Sequence, residues 1–238
     1  MNDLKSLGIK LFADGANLEG MLEMASNSHI SGLTTNPTLM RKAGVTKYSE
    51  FAREVLDQIK DKPISFEVFS DDIHEMKIQA EKISSWGENV YVKIPVTTTK
   101  GMSTNEVVSH LVDLGIKVNV TAVMTVDQTK RISEILNPNV PSCISVFAGR
   151  IADTGQDPTE LMSKCLDVIK KNPKIELIWA SPRELLNIFQ ADKIGCHIIT
   201  ATNDILSKLT LIGKNLDDYS LETVKMFHDD AQKAGYSI

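Results

Sequence analysis

Short apolar runs rich in β-branched residues alternate with longer stretches in which apolar positions recur at helical spacing, and the alternation continues from end to end. The short runs predict eight β-strands, at 10–14, 32–35, 64–68, 90–94, 117–121, 143–147, 175–180 and 196–200. The longer stretches predict helices, since residues such as Phe51, Val55 and Ile59 would share one helical face. Strands and helices therefore follow one another in a regular βα order.

The breaks in this pattern fall where helices have to stop. Gly87, Gly115 and Gly195 each come shortly before a predicted strand. No low-complexity linker divides the chain, so residues 1–238 are expected to form one domain. Eight βα units predict an α/β fold, a single-domain (β/α)8 TIM barrel, with an open doubly wound sheet as the alternative. An amphipathic stretch at about 221–234 predicts an additional C-terminal helix, covering the barrel or a neighbouring subunit.

Charge balance and cysteine usage narrow the function classes. Lys and Arg number 26 against 31 Asp and Glu, a formal net charge of −5, which weighs against nucleic acid as a partner. Cys143, Cys165 and Cys196 are widely spaced in apolar segments and are expected to be reduced core thiols. The histidines show no zinc-type spacing, so no metal is expected. The sequence contains no apolar signal core or membrane span, which favours a cytoplasmic protein without a membrane partner.

Polar residues gather where the predicted strands end, which in a barrel is the edge that carries active sites. The strand ends and the loops after them supply Asp14, Thr34, Thr35, Asn36, Glu67, Lys93, Asn119, Thr121, Ser145, Ser181 and Arg183. Each has an ordinary explanation on its own, such as a helix cap for Asp14 or a turn for Thr34. Their shared location on seven strands favours a common site.

Lys93 is the only charged residue in the run NVYVKIPVT at 89–97. Burial in a strand disfavours the charged form of an amine and so favours a nucleophile for carbonyl carbon. The alternative is a lysine that extends from the strand end into solvent. Asn119 and Thr121 lie two residues apart and share a face of their strand. If that face is the barrel interior, both point toward Lys93.

Two arginines follow the sixth and seventh predicted strands. Arg150 comes after Gly149, which permits close backbone approach, and with Arg183 it could clamp a phosphate. Arginines are also often surface ion-pair partners, and that explanation stays open. A desolvated amine, two carboxylates, hydroxyls and two arginines suit Schiff-base chemistry on a phosphorylated carbonyl compound. Such chemistry needs no metal or other cofactor.

A family resemblance covers almost the whole chain and rests on seven motifs in order. They are FADGAN at 12–17, GLTTNPT at 32–38, FEV at 66–68, VKIP at 92–95, VNVT at 118–121, ISVFAGR at 144–150 and ASPR at 180–183. With these motifs the chain resembles the transaldolases, specifically the small class that also contains the fructose-6-phosphate aldolases, which are class I Schiff-base enzymes.

The resemblance implies catalytic roles for four residues. Lys93 would form the Schiff base, and Asp14 would be the acid/base in carbon–carbon cleavage. Glu67 and Thr121 would handle protons through a water. The implied reaction passes a dihydroxyacetone unit from a ketose phosphate, such as sedoheptulose 7-phosphate or fructose 6-phosphate, to an aldose phosphate. This reaction belongs to the non-oxidative pentose phosphate pathway.

The resemblance also implies which residues bind substrate. They are Thr34, Asn36, Asn119, Ser145, Phe147, Arg150, Ser181 and Arg183. Within this set, the amides and Ser145 would bind the dihydroxyacetone unit, while the arginines and Ser181 would hold the sugar phosphate. The C-terminal stretch looks like that of the small class, which implies a ring-type homo-oligomer, a pentamer or decamer.

Two positions bear on the branch of the family. The aldolase branch typically carries glutamine and tyrosine where this chain has Glu67 and Phe147, so both favour a transaldolase. Gly15, Ala148 and Pro182 depart from the family pattern, and Pro182 fixes φ beside the implied phosphate site. The alternatives are a fructose-6-phosphate aldolase that releases dihydroxyacetone and a non-catalytic phosphosugar-binding barrel.

Overall fold

Eight parallel strands close into a barrel in the order β1-β2-β3-β4-β5-β6-β7-β8, in the computed structural model, which describes residues 7–237. Each strand pairs with its neighbours in sequence, and β8 returns to pair with β1. The strands are β1 Lys10–Asp14, β2 Ile30–Thr34, β3 Ile64–Glu67, β4 Val90–Pro95, β5 Val118–Val123, β6 Ser142–Val146, β7 Ile175–Trp179 and β8 Ile198–Thr202. This closure confirms the predicted TIM barrel and excludes the open doubly wound sheet.

Helices occupy the segments between the strands and form the outer layer. They are α1 Leu18–Ser26, α2 Pro37–Lys42, α3 Tyr48–Gln58, α4 Ile73–Ser84, α5 Asn105–Asp113, α6 Val126–Ile135, α7 Ala148–Ala152, α8 Pro158–Ile169, α9 Leu186–Lys193, α10 Asn203–Leu206 and α11 Leu216–Ala234. A short 3-10 helix, Ser207–Leu211, connects α10 to the loop before α11. The predicted C-terminal helix is therefore confirmed, as α11.

The predicted element ends differ from the observed ones for local reasons. β8 begins two residues after the predicted 196 because the Cys196 amide still bonds to Ala191 O of α9. Helix α11 begins at Leu216, before the predicted 221. Asn215 caps it there, since its side chain accepts hydrogen bonds from the amides of Asp217 and Asp218.

The lower barrel interior is apolar. Phe12, Cys143, Ile178 and Ile198 form a buried cluster inside the strands. Gly32 of the neighbouring strand makes room for the Phe12 ring, because a Cβ at this glycine would lie 2.5 Å from a ring carbon. The polar residues are therefore concentrated above this cluster, toward the carboxyl ends of the strands.

The cysteines are buried and free, as predicted, within the described part of the chain. Burial raises the pKa of the Cys196 thiol to about 12. Burial also raises the pKa of Cys143 and of Cys165. Deprotonation of all three is disfavoured, which fits a packing role.

Helix α11 lies largely exposed and contains no buried residue. Leu216, Tyr219, Val224 and Phe227 all expose large apolar side chains on it, Phe227 to 64%. Across residues 7–237, no helix is both long and apolar enough to cross a membrane.

Candidate active site

A cavity of about 640 Å³ opens at the carboxyl ends of the barrel strands. The predicted site residues that line it are Asp14, Thr34, Asn36, Glu67, Lys93, Thr121, Ser145, Phe147, Arg150, Ser181 and Arg183. They come from seven strands and the loops that follow them, and strand alternation turns them inward. The structure thus brings every predicted site residue except Thr35 and Asn119 to the lining of one cavity.

Lys93 lines this cavity and is only 6% exposed. Its Nζ atom donates a hydrogen bond to Thr35 O at 3.0 Å. Glu67 Oε2 lies 3.5 Å from the same Nζ atom, on the adjacent strand β3. The side chain therefore stays inside the barrel, and its extension into bulk solvent is not what the structure shows.

Two carboxyl groups flank this amine. Asp14 Oδ1 accepts a hydrogen bond from Thr34 Oγ1 at 2.8 Å, and its Oδ2 accepts one from Asn36 Nδ2 at 3.2 Å. Burial raises the pKa of Asp14, against the opposing effects of the Lys93 charge and these two hydrogen bonds. Burial likewise raises the pKa of Glu67, although the nearby Lys93 lowers it. Both carboxyls are thereby shifted toward the range in which they can exchange protons near neutral pH.

A buried polar network lies beneath the cavity. Asn119 is fully buried, its Nδ2 donates to Ser65 Oγ at 3.0 Å, and its Oδ1 accepts from Ser145 Oγ at 2.7 Å. Asn119 therefore does not line the cavity as the prediction implied, but supports Ser145, which does. Sequence reasoning missed Ser65, although its position two residues before Glu67 on one strand places both on the inward face.

The hydroxyl of Thr121 is buried in the cavity wall and has no hydrogen-bond partner among the described residues. The next residue, Ala122, has φ of 60°, and the β5–β6 register shifts between Val120 and Val123. Side chains other than glycine adopt this left-handed conformation at a cost, which is typical of functional sites. An unpaired buried hydroxyl in a polar cavity calls for a water or a ligand group as its partner.

The two arginines lie together at one end of the cavity. Gly149 packs against Ser181, so closely that a Cβ on the glycine would lie 1.5 Å from Ser181 O. Ser181 itself has φ of 60°, in the left-handed region. This contact holds the backbones of Arg150 and Arg183 next to each other, because each arginine follows within two residues.

Arg183 makes a two-pronged ion pair with Asp153, an acid that the sequence reasoning did not include. Arg183 Nε donates to Asp153 Oδ1 at 2.9 Å, and its Nη2 contacts Asp153 Oδ2. The Arg183 guanidinium holds the pKa of Asp153 below its ordinary value. Arg150 is exposed and has no ion-pair partner within residues 7–237. The ion-pair explanation therefore applies to Arg183, and both arginines still line the cavity.

The eighth strand also contributes to the site, which sequence reasoning missed. Thr200 and Thr202 of β8 line the cavity, and Thr200 Oγ1 lies 2.6 Å from Thr34 Oγ1. The prediction ended this strand at 200, so Thr202 fell outside it, and Thr200 within it was not recognised as inward-facing. The alternation of Ile198, Thr200 and Thr202 was the signal that could have identified it.

As a whole, the cavity is lined by one buried amine, the carboxyls of Asp14 and Glu67, several hydroxyls and two arginines. This set can form an imine with a carbonyl compound and move protons around it. No group of three His, Cys, Asp or Glu side chains within residues 7–237 is placed to hold a metal ion.

Comparisons with known proteins match most of the chain. The family model described as transaldolase/fructose-6-phosphate aldolase matches residues 11–238. A "probable transaldolase" of Thermoanaerobacter sp. (strain X514) is 32% identical over 231 residues, which cover 97% of this chain and 100% of that relative. A "probable transaldolase" of Methanococcus maripaludis (strain C5 / ATCC BAA-1333) is 35% identical over 202 residues, covering 84% and 89%.

A solved structure from Coccidioides immitis, whose description names the dihydrodipicolinate synthase family, matches with a TM-score of 0.61. It is 12% identical and covers 96% of this chain and 78% of that one, so this likeness shows the fold alone. The family model and the two relatives span most or all of this chain and confirm the resemblance carried by the seven motifs. The chain belongs to the transaldolase/fructose-6-phosphate aldolase family.

Proposed function

We propose that this protein is a transaldolase, which transfers a dihydroxyacetone unit from a ketose phosphate to an aldose phosphate through a Schiff base on Lys93. The observation that carries the proposal is the buried Lys93 amine, with Glu67 3.5 Å away and Asp14 in the same cavity wall. A nucleophilic amine between two proton-exchanging carboxyls is the equipment that imine formation and carbon–carbon cleavage require.

In the first stage, the free amine of Lys93 adds to the C2 carbonyl of the ketose phosphate. The carbinolamine then loses water, which leaves an iminium. Glu67 and the unpaired hydroxyl of Thr121 are placed to pass protons to and from that water. Proton transfer from a raised-pKa carboxyl is effective because the group can hold and release a proton near neutral pH.

In the second stage, the carboxylate of Asp14 takes the proton of the C4 hydroxyl as the C3–C4 bond breaks. The electron pair of that bond moves into the iminium and gives an enamine, while C4 leaves as the aldehyde of an aldose phosphate. The enamine then attacks the aldehyde of the acceptor, whose oxygen takes the proton back from Asp14. Hydrolysis of the new iminium restores Lys93.

Substrate orientation follows from the polar groups around the amine. Ser145 and Asn36 line the same cavity as Lys93 and are suited to the hydroxyls of the dihydroxyacetone unit. Arg150 and Arg183 also line it and are suited to the phosphate, since guanidinium groups pair with phosphate oxygens in two-point contacts. Contacts at both ends of the substrate would orient its reacting carbons relative to the amine and the carboxyls.

The family also contains aldolases that release free dihydroxyacetone, and two side chains favour transfer over release. Glu67 supplies a carboxylate and Phe147 a ring without a hydroxyl, where the aldolase branch typically has glutamine and tyrosine. A tyrosine hydroxyl at position 147 could protonate the enamine, which ends the transfer, and the Phe147 ring has no such proton. The enamine is then left for an acceptor aldehyde.

The test combines trapping with an acceptor assay. Incubation with fructose 6-phosphate and borohydride is expected to leave a reduced adduct on Lys93, identified by peptide mass spectrometry, because borohydride reduces the iminium. Turnover is expected to require an acceptor such as erythrose 4-phosphate. Turnover with unmodified Lys93 would overturn the proposal, and dihydroxyacetone release at the same rate without acceptor would favour the aldolase. Binding of fructose 6-phosphate with no adduct would favour a non-catalytic barrel.

We further propose a cytoplasmic homo-oligomer, a ring of five or its double, with α11 in the contact between subunits. The support is the row of large exposed apolar side chains on this helix, which include Leu216, Val224 and Phe227. Substitution Phe227→Asp is expected to lower the mass in solution measured by light scattering, whereas Gln232→Asp on the same helix is expected to leave it unchanged. A monomeric wild-type protein would contradict this.

A further inference from the structure

Thr200 is connected to the Asp14 carboxyl, the proposed acid/base group, through the hydroxyl of Thr34. Its Oγ1 lies 2.6 Å from Thr34 Oγ1, and Thr34 Oγ1 donates to Asp14 Oδ1 at 2.8 Å. Both threonines are nearly fully buried: Thr34 is 1% exposed and Thr200 is 6% exposed. The pairing of β1 with both β2 and β8 brings the three side chains together. The three residues thus form a short hydrogen-bond chain across adjacent strands.

The Asp14 carboxyl, which accepts at one end, fixes the direction of the hydrogen bonds in this chain. A hydroxyl has one proton, and Thr34 gives its proton to the Asp14 carboxyl. The bond between the threonines must then be donated by Thr200 and accepted by Thr34. Accepting this bond polarises the Thr34 hydroxyl and strengthens its own bond to the carboxylate.

The other charged groups near Asp14 affect its titration equally in the wild type and in variants at position 200. Lys93 on β4 and Glu67 on β3 face the carboxyl across the cavity, and Asp204 of α10 lines the same cavity near its mouth. Arg150 and Arg183 lie at its far end. None of these side chains hydrogen-bonds Thr200 or Thr34 within the described residues, so a substitution at 200 leaves their charges in place.

We propose that Thr200 is a positioning residue for the acid/base step, in that its hydroxyl directs the Thr34 proton onto Asp14 and holds the carboxyl for proton exchange with substrate. The proposal rests on the role proposed for Asp14 above. It does not require Thr200 to touch the reacting atoms. Loss of this hydroxyl frees Thr34 to rotate and weakens the hydrogen bond that stabilises the Asp14 carboxylate.

The direct readout is the titration of the Asp14 side chain in the absence of substrate. The carboxyl carbon is followed by carbon-13 NMR in aspartate-labelled protein and assigned with Asp14→Asn. In Thr200→Val and Thr200→Ala the titration midpoint is expected to move upward by about half a pH unit, because one supporting hydrogen bond is worth on the order of 1 kcal/mol. Thr200→Ser retains the hydroxyl and is expected to retain the wild-type midpoint.

The kinetic readout uses the same variants and a matched control. Thr200→Val and Thr200→Ala are expected to lower kcat about 5- to 10-fold and to shift the acidic limb of the pH profile upward, while Thr200→Ser stays within about twofold. Thr129→Val removes an equally buried threonine hydroxyl in α6, away from the cavity, and is expected to leave the limb unchanged.

The Asp14 midpoints decide whether Thr200 positions this carboxyl. Unchanged Asp14 midpoints in both Thr200→Val and Thr200→Ala would overturn the proposal, as would a shift in Thr200→Ser of equal size. The NMR titration needs no turnover, so it stands apart from the Lys93 adduct: a shifted midpoint in a protein that forms no adduct would support the positioning chain and overturn the proposed transaldolase.

Discussion

The barrel holds two lysine–glutamate pairs at its opposite ends, and they differ in every respect except composition. Lys10 and Glu176, at the amino ends of β1 and β7, lie 2.8 Å apart with side chains 51% and 30% exposed. Lys93 and Glu67, at the carboxyl ends of β4 and β3, lie 3.5 Å apart with side chains 8% and 16% exposed. The pair with the shorter distance between nitrogen and oxygen is therefore the more exposed one.

This contrast separates stability from chemistry. An exposed pair of this kind contributes about 0–1 kcal/mol, since water screens the attraction. A buried pair at a longer distance loses hydration at both ends and recovers little of it by attraction, so it adds little to stability. The Lys93–Glu67 pair fits the reactive centre proposed above, whereas the Lys10–Glu176 pair is a surface contact between β1 and β7.

The largest expected effect comes from replacing each lysine with methionine. Lys93→Met removes the proposed nucleophile and is expected to lower kcat by at least about 1,000-fold, because the residues that line the cavity include no other lysine to form the imine. Lys10→Met is expected to leave kcat within about twofold. Both are measured in the acceptor-dependent assay with fructose 6-phosphate. Equal losses in the two variants would remove the functional distinction between the pairs.

A smaller effect is expected when each glutamate is replaced with glutamine and stability is measured. Because burial raises the pKa of Glu67 above its ordinary value of 4.5, the unfolded chain loses this proton first as pH rises. The contribution of Glu67 to the free energy of unfolding should therefore fall as pH rises from about 4.5 to the raised value, and stay constant above it. Glu67→Gln removes this fall.

Urea unfolding from pH 4 to pH 8 measures the difference between Glu67→Gln and wild type, which is expected to grow across that window in favour of the variant. Glu176→Gln, in the exposed pair, is expected to lower the free energy of unfolding at neutral pH by less than about 1 kcal/mol. A difference between Glu67→Gln and wild type that does not vary with pH would show that burial leaves this carboxyl unshifted.

The fold was predictable because strand and helix periods were regular and each element carried its own stop signals. Inward-facing polar residues such as Glu67 and Lys93 could also be found, since alternation along a strand fixes the face and the barrel fixes the end. Thr202 was missed because the predicted strand ended at 200, two residues before its observed end, and Thr200 was the last residue of that predicted strand but was not recognised as inward-facing. The same kind of reading placed Asn119 in the cavity, whereas its depth below the cavity depends on strand tilt and register.

Contacts between distant elements were beyond the reach of the sequence. The pairing of Arg183 with Asp153 joins a loop after β7 to the residue that caps α7, and no local pattern indicates that these side chains meet. Ser65 bonds to Asn119 across two strand boundaries. Such partners depend on which side chains meet in three dimensions. Periodicity predicts which residues face inward, but not which of them pair.

The close seating of Gly149 against Ser181 O gives the cavity a fixed span. The segments that carry Arg150 and Arg183 cannot separate or approach without breaking that backbone contact, so the two guanidinium groups share one rigid base. An anionic group held there lies at a set distance from Lys93. With the proposed function, the number of carbons between the phosphate and the carbonyl of a sugar phosphate would decide whether its carbonyl carbon reaches the Lys93 amine.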